Sequence, residues 1–354
     1  MLFPRRRDRS AIAGWAAVFA SLGALLGMAF LPSPYVVEQP GPTFDTLGET
    51  DAGPLITVPA DLDHPDSEGS LTLLTVSIAG NPQRPLTWVE VAGAFLDPAD
   101  EILPMDAVYA PDETIEQSNE AGRVEMQSSQ AAAIAAALLH EGYEIDAEVT
   151  IAEVLAGSPA EGRLEVGDRI LSVNGETAYD VYSIREAIAA VDGASTFDVE
   201  RDGERLTVTI EPIEEQGQRL VGIVPQNAFT FPIDVSIELP NVGGPSAGMM
   251  FALGIVDRLT PGSLTGGVDW AGTGTISATG DVGPIGGIEQ KMHGALDSGA
   301  DWFLAPVENC GEVVGNVPDG LRVVAVDTLD DAMTAIETVA AGGDVDALPT
   351  CTAG

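Results

Sequence analysis

The sequence predicts an α+β fold of two folded parts behind one apolar N-terminal helix. Three observations carry this. An uncharged apolar run extends from Ala11 to Leu31. A β-rich stretch with its own hairpin occupies residues 142–222. Strand-like and helix-like segments alternate on both sides of it, as in folds that pack helices on a sheet.

The apolar run comes first. Its residues would span about 31 Å as a helix, close to a bilayer core of about 30 Å. Arg5, Arg6, Arg7 and Arg9 precede it, and Pro32 and Pro34 follow. Clustered arginines hold their end of a span in the cytoplasm. The expectation is therefore a basic cytoplasmic tail at 1–10, a transmembrane anchor at 11–31, and everything later outside the cell membrane. A cleaved signal peptide has a shorter apolar core, about 7–15 residues. Residues 32–69 are rich in Pro, Gly, Asp and Thr and read as an irregular stalk.

Further on, Ser70–Ala79 reads as a strand and Met126–Leu139 as an Ala-rich helix. The 142–222 stretch contains Gly157-Ser-Pro-Ala160 and Leu164-Glu-Val-Gly-Asp-Arg-Ile-Leu-Ser-Val-Asn-Gly175. A helix follows at 183–191, then two alternating runs around Asp202-Gly203, a pair suited to a tight hairpin. This part resembles a bacterial PDZ domain. The resemblance implies capture of extended polypeptides by strand addition. Gly142-Tyr143-Glu144-Ile145 is the candidate for its carboxylate-binding loop.

Composition narrows the function. The chain has 354 residues, 55 acidic against 15 basic, and a formal net charge of −40. Such a balance disfavours binding of nucleic acid. With 45% hydrophobic residues it is not a disordered acidic tail. Lys291 is the only lysine. A P-loop needs a lysine after its glycines, and Lys291 is not so placed, so the sequence holds no P-loop for ATP. His140-Glu141 begins like a zinc-protease motif, but no second histidine follows at the required spacing. No metal or other cofactor is expected. Cys310 and Cys351 can form a disulfide outside the membrane, closing a loop of about 40 residues.

An alternating segment, Phe231–Leu239, leads to Asn241-Val-Gly-Gly-Pro-Ser-Ala-Gly248 and an apolar helix at 249–259. Ser246 then sits at a helix start, where backbone N–H groups can hold an oxyanion. It is also a favoured helix-capping residue, and this segment alone leaves both roles open. After Ala271-Gly-Thr273-Gly and Pro284-Ile-Gly-Gly-Ile288, a helix places Ile288, Lys291, Met292, Ala295, Leu296 and Gly299 on one face. The lysine lies on the apolar face. Burial disfavours its ammonium, which makes a neutral amine available as a general base; the alternative is a lysine that snorkels to the surface.

At these residues the chain resembles the proteolytic domain of Lon proteases, which use a Ser–Lys dyad. Gly244-Pro245-Ser246-Ala247-Gly248, the Thr-Gly pair at Thr273, and the Pro-Ile-Gly-Gly-Ile-x-x-Lys string match in order and spacing. The resemblance implies Ser246 as nucleophile and Lys291 as base, with Thr273 orienting the lysine and Gly244, Pro245 and Gly248 shaping the turn. Lon proteases commonly carry an acidic residue at the approach to this string, where this chain has Gly243-Gly244. Taken with the PDZ-like part and the anchor, nearly the whole chain resembles the membrane-anchored PDZ–Lon proteases of bacteria.

The expected fold is therefore α+β: a Lon-type proteolytic domain with an inserted PDZ-like domain, preceded by one transmembrane helix. Its catalytic pieces are 70–141 and 223–340, the PDZ-like domain is 142–222, and 341–354 is a tail. The expected function is ATP-independent cleavage of flexible polypeptides outside the cytoplasmic membrane. The resemblance also implies a homo-oligomer. Two other readings remain. One is a silent membrane-anchored peptide-binding scaffold. The other is an α/β-hydrolase, since Gly244-Pro-Ser-Ala-Gly248 fits G-x-S-x-G with His293 as the histidine.

Overall fold

The computed structural model describes residues 9–50, 53–65, 68–110, 114–215 and 218–352. The basic tail through residue 8 lies outside them. The chain divides into two compact units. One comprises 1–41 and 76–118, the other 42–75 and 119–354.

In the first unit, helix α1 (Arg9–Ala29) covers most of the expected anchor. The side chains of residues 9–14, 16 and 24–26 are outside the described set. Among the described residues, no helix is long and apolar enough to cross a membrane. Residues 32–69 were expected to be a stalk, and here the structure differs. Tyr35–Asp45 is a strand, and Val36 and Val37 are buried in it. Its first half pairs antiparallel with Glu101–Pro104. Pro40 and Gly41 mask a run whose β-branched residues favour a strand. Helix α2 (Trp88–Ala94) starts on a capping box between Thr87 and Glu90. The Trp88 N–H donates to the Leu31 carbonyl at 3.3 Å. A single turn, α3 (Met105–Val108), follows.

The second unit holds the larger core. Helix α4 (Ile115–His140) begins 11 residues before the expected start, with residues from 119 onward in this unit. Its first turns are polar and exposed, so no apolar period marks them. Strand Ser70–Ala79 enters the unit through residues 70–75 and pairs parallel with Asp269–Gly272. That strand pairs parallel with Trp302–Pro306, which pairs parallel with Arg322–Val326. Of the expected piece 70–141, residues 70–75 and 119–141 thus share a unit with Ser246, while 76–118 fall in the first.

Helix α6 (Gly248–Leu259) runs through the centre of this unit. Met249, Met250, Phe251, Ala252, Leu253, Ile255 and Val256 have no exposed surface. A helix apolar on all sides is a buried helix. Leu71, Ala133 and Leu138 join the same core, so the pieces on either side of the 146–230 sheet pack together. Helix α7 (Ile288–Asp297), the short α8 (Cys310–Val313) and α9 (Leu329–Ala340) complete the unit. Phe231–Leu239, expected as one strand, keeps only Ser236–Ile237 in strand form.

The β-rich module carries a separate core around Phe197, Val199, Ile151 and Ile184. Its strands run in the order Glu204–Ile210, Ser195–Arg201, Arg169–Val173, Asp146–Val154, Ile223–Thr230, all antiparallel neighbours. The boundary expected at 222 is therefore late-shifted, because the strand at 223–230 completes this sheet. Helix α5 (Val181–Ala189) packs on it. At the hairpin, Asp202 and Gly203 both have positive φ, 52° and 80°.

Candidate active site

Ser246 is not used as a helix cap. The cap of α6 is Ala247, which makes no side-chain bond to the helix. The hydroxyl of the half-buried Ser246 is thus left for other work. Instead, its backbone is pinned. The Ser246 carbonyl accepts from the Gly274 N–H at 2.9 Å and from Thr273 Oγ1 at 3.0 Å. Pro245 O accepts from Ser129 Oγ of α4 at 2.9 Å. Gly244 N–H donates to Gly122 O, also of α4, at 2.9 Å.

The glycines here follow from these approaches. Gly244 has φ 86°, a region L side chains rarely adopt. A Cβ on Gly248 would come within 2.9 Å of Ile276 and of Ser129. The place of the expected acidic residue is filled by backbone contact to α4, since a Cβ on Gly243 would press within 3.2 Å of the Gly122 backbone.

Lys291 lies on α7, whose left-handed start at Gly287 turns the chain into the helix. Only 2% of the lysine is exposed. Its Nζ donates to Thr273 Oγ1 at 3.2 Å. Thr273 is wholly buried. One hydroxyl thus accepts from the lysine and donates to the Ser246 carbonyl, which uses both its capacities. On α7 Ile288, Lys291, Met292 and Ala295 are buried as expected, but Leu296 is exposed, Gly299 is exposed beyond the helix end, and Gln290 and Gly294 are buried as well. Lys291 is linked to the Ser246 segment through the Thr273 hydroxyl.

Cys310 and Cys351 form the disulfide, 41 residues apart. Pro349 O accepts from the Ala325 N–H at 3.0 Å, so the tail is fastened to the last strand of the sheet. Among the described residues no cluster of His, Cys, Asp or Glu could hold a metal ion.

In the β-rich module, the specific-looking string is a scaffold. The buried Asp168 takes two bonds from Arg201, at 2.6 and 2.7 Å. Burial alone would raise the Asp168 carboxyl, but the Arg201 bonds hold it below the usual range. Asn174, with φ 54°, donates to Ala187 O of α5 and accepts from Thr196 N–H. The candidate loop Gly142–Ile145 leads into Asp146–Val154, which has neighbours on both sides. It does not border an open edge. The strand Ile223–Thr230 does, and α5 lies alongside it.

Sequence reasoning missed two groups. Ser129 stands in α4 between Ser128 and Gln130, just before the Ala-rich run, where no local pattern singles it out. Asp180 reads as the N-cap of α5, and its Oδ1 does accept from Ser183 N–H at 2.8 Å. Its Oδ2 also accepts from the Ala278 N–H at 2.7 Å, a buried bond to the part that carries Ser246 and Lys291, which no local pattern announces.

Residues 226–338 match the model of the Lon protease (S16) C-terminal proteolytic domain, and residues 150–201 match a PDZ domain. Lon protease 2 of Herpetosiphon aurantiacus is 31% identical over 188 residues, 50% of this chain and 22% of that protein. The Lon protease of Azospirillum brasilense is 36% identical over 107 residues, 28% of this chain and 13% of that protein. Lon protease 2 of Bacillus subtilis is 35% identical over 106 residues, 29% of this chain and 19% of that protein. The match therefore spans less than a quarter of the length of these relatives. Among solved structures, the PDZ domain of an SdrC-like protein from Listeria innocua aligns at 20% identity. It covers 22% of this chain and 92% of that domain, with a TM-score of 0.21.

Proposed function

We propose that this chain, which carries a Lon-type proteolytic domain and a PDZ domain, is an ATP-independent serine endopeptidase working by a Ser246–Lys291 dyad. The observation that carries the dyad is the buried Lys291 amine, 3.2 Å from a threonine hydroxyl that itself bonds the Ser246 carbonyl. In the first step Lys291 takes the Ser246 proton while Oγ attacks the peptide carbonyl. The developing oxyanion calls for backbone N–H donors other than those of Gly248 and Met249, which already donate to Pro245 O and Gly274 O. The lysine ammonium then returns the proton to the leaving amine, giving an acyl-enzyme. Water, deprotonated by the same amine, releases the acid and restores the serine.

Three further parts of the reading rest on separate features. The absence of a P-loop lysine supports independence from ATP, so substrates must already be extended. The open edge at Ile223–Thr230 suits strand addition by a polypeptide. Membrane anchoring with the catalytic part outside is supported by the arginines before the apolar run and by the Cys310–Cys351 disulfide. It is also supported by the exposed Trp88 and Val89 of α2 and the exposed Phe95 and Leu96 just after it, Trp88 being bonded to the end of the apolar run.

The test is cleavage of an unstructured polypeptide without ATP. Ser246→Ala and Lys291→Arg each lose activity by about a thousandfold or more. Arginine stays protonated and cannot take the serine proton. His293→Ala keeps activity. The wild-type rate climbs with pH, because the neutral amine is the working form. Wild-type-like turnover by Lys291→Arg would falsify the base assignment.

A further inference from the structure

We propose that Ser129 of α4 is a positioning residue for the candidate nucleophile: it turns the Pro245–Ser246 peptide so that the Ser246 N–H faces the oxygen of the carbonyl under attack. The inference rests on the Ser246–Lys291 reading and adds to it the source of an oxyanion donor.

A trans peptide is planar, and its C=O and N–H point to opposite sides. Among the described residues no peptide bond is cis. Whatever holds Pro245 O therefore also aims the Ser246 N–H. Two groups hold it. Ser129 Oγ donates at 2.9 Å, and the Gly248 N–H donates at 3.4 Å. The serine bond is the shorter, and it comes from a separate helix that does not move with the turn. Ser129 is 6% exposed, and a Cβ on Gly248 would lie 2.9 Å from its Oγ. The hydroxyl is packed against the start of α6, with little room to turn elsewhere.

Helix α4 holds the same turn at a second point. Gly122 O accepts from the Gly244 N–H at 2.9 Å. Gly122 stands seven residues before Ser129, two turns back on the same face, with the buried Met126 between them. The helix thus braces the peptides on both sides of the Gly244–Pro245 pair.

The Ser246 N–H is left over by this arrangement. Gly248 and Met249 give their N–H groups to Pro245 O and Gly274 O, whereas among the described residues the Ser246 N–H makes no bond. It belongs to the residue that carries Oγ, so it lies next to any carbonyl that Oγ attacks. A donor so placed strengthens as charge develops on the carbonyl oxygen. On the other side of Ser246, its own carbonyl is held by the Gly274 N–H and by Thr273 Oγ1, which also accepts from Lys291. Ser129 and Thr273 therefore fix the two peptide planes that meet at Ser246, one facing the oxyanion and one facing the base.

The test uses the full chain in detergent micelles, without ATP, with β-casein as the unstructured substrate. Mass spectrometry locates the cuts that wild type makes. The residues preceding one cut are then prepared as a peptide aldehyde and as the matching alcohol. The aldehyde adds to Ser246 Oγ and puts an oxygen where the oxyanion forms; the alcohol does not. Ser129→Ala is expected to weaken the aldehyde about tenfold relative to the alcohol, and to lower kcat about tenfold with KM kept. The pH–rate profile keeps its midpoint, since the Lys291–Thr273 bond is untouched. Alanine suits a helix, and Pro245 O retains its bond from Gly248, so the variant keeps its fold, which urea unfolding checks. A merely structural Ser129 would lower the urea midpoint without moving the aldehyde-to-alcohol ratio. An unchanged ratio overturns the proposal, whether or not the rate or the pH midpoint moves. A wild type that cleaves nothing overturns the dyad reading first, and this one with it.

Discussion

Thr273 does more at the candidate site than its size suggests. Its hydroxyl holds the lysine on one side and the Ser246 carbonyl on the other. Thr273→Val keeps the shape and removes both bonds. A buried donor and acceptor each lose a partner, a loss of about 1–3 kcal/mol in stability. With the amine no longer aimed, the turnover rate should fall about 10–100-fold, and Thr273→Ser should restore most of it. Steady-state kinetics beside urea unfolding separates the two effects. Unchanged kcat in the valine variant counts against the positioning role. At this scale the sequence was most informative about Lys291. A single lysine on an apolar helical face limits where a base can be. It was silent on Asp180, because its partner Ala278 is 98 residues away, and no local period reports such a contact.

Helix α5 is the element where the two domains meet. Glu186, on this helix, has its carboxyl pushed up, first by partial burial and then by Asp281, Asp180 and Asp327. An acid whose folded pKa lies above its unfolded value of 4.5 binds more protons when folded. It therefore costs stability as pH rises through and beyond that interval. Glu186→Gln should raise the Tm at pH 7, and the gain should vanish below about pH 4. Thermal scans at both pH values check this; an equal shift at both would contradict the charge account. The strand and hairpin of the PDZ domain were legible in advance. Asp202-Gly203 demands positive φ at both positions, and both adopt it. The edge strand 223–230 was assigned to the neighbouring domain, since an alternating strand does not say which sheet it joins. The strand at 35–45 was hidden by its Pro and Gly, which are turn signals unless pairing overrides them.

Across the whole molecule, the disulfide ties the C-terminal tail to the loop after Trp302–Pro306. Its 41-residue separation corresponds to about 4 kcal/mol of loop-closure entropy. Cys351→Ser should lower the urea midpoint accordingly, with little change in peptide cleavage, because the Lys291–Thr273 bond is made within the core and uses no tail residue. A midpoint equal to wild type would mean that the tail's packing alone holds it. The second unit is assembled from 42–75 and 119–354, so the sheet of residues 146–230 falls in sequence between two pieces that share one core.

The central claim is that Ser246 is a nucleophile activated by Lys291. Intact-protein mass spectrometry after treatment with a fluorophosphonate, without ATP, tests it most directly. The account predicts one adduct per chain, mapped to Ser246, and its loss in Lys291→Met. An unmodified wild-type chain, or equal labelling without the lysine, would contradict it.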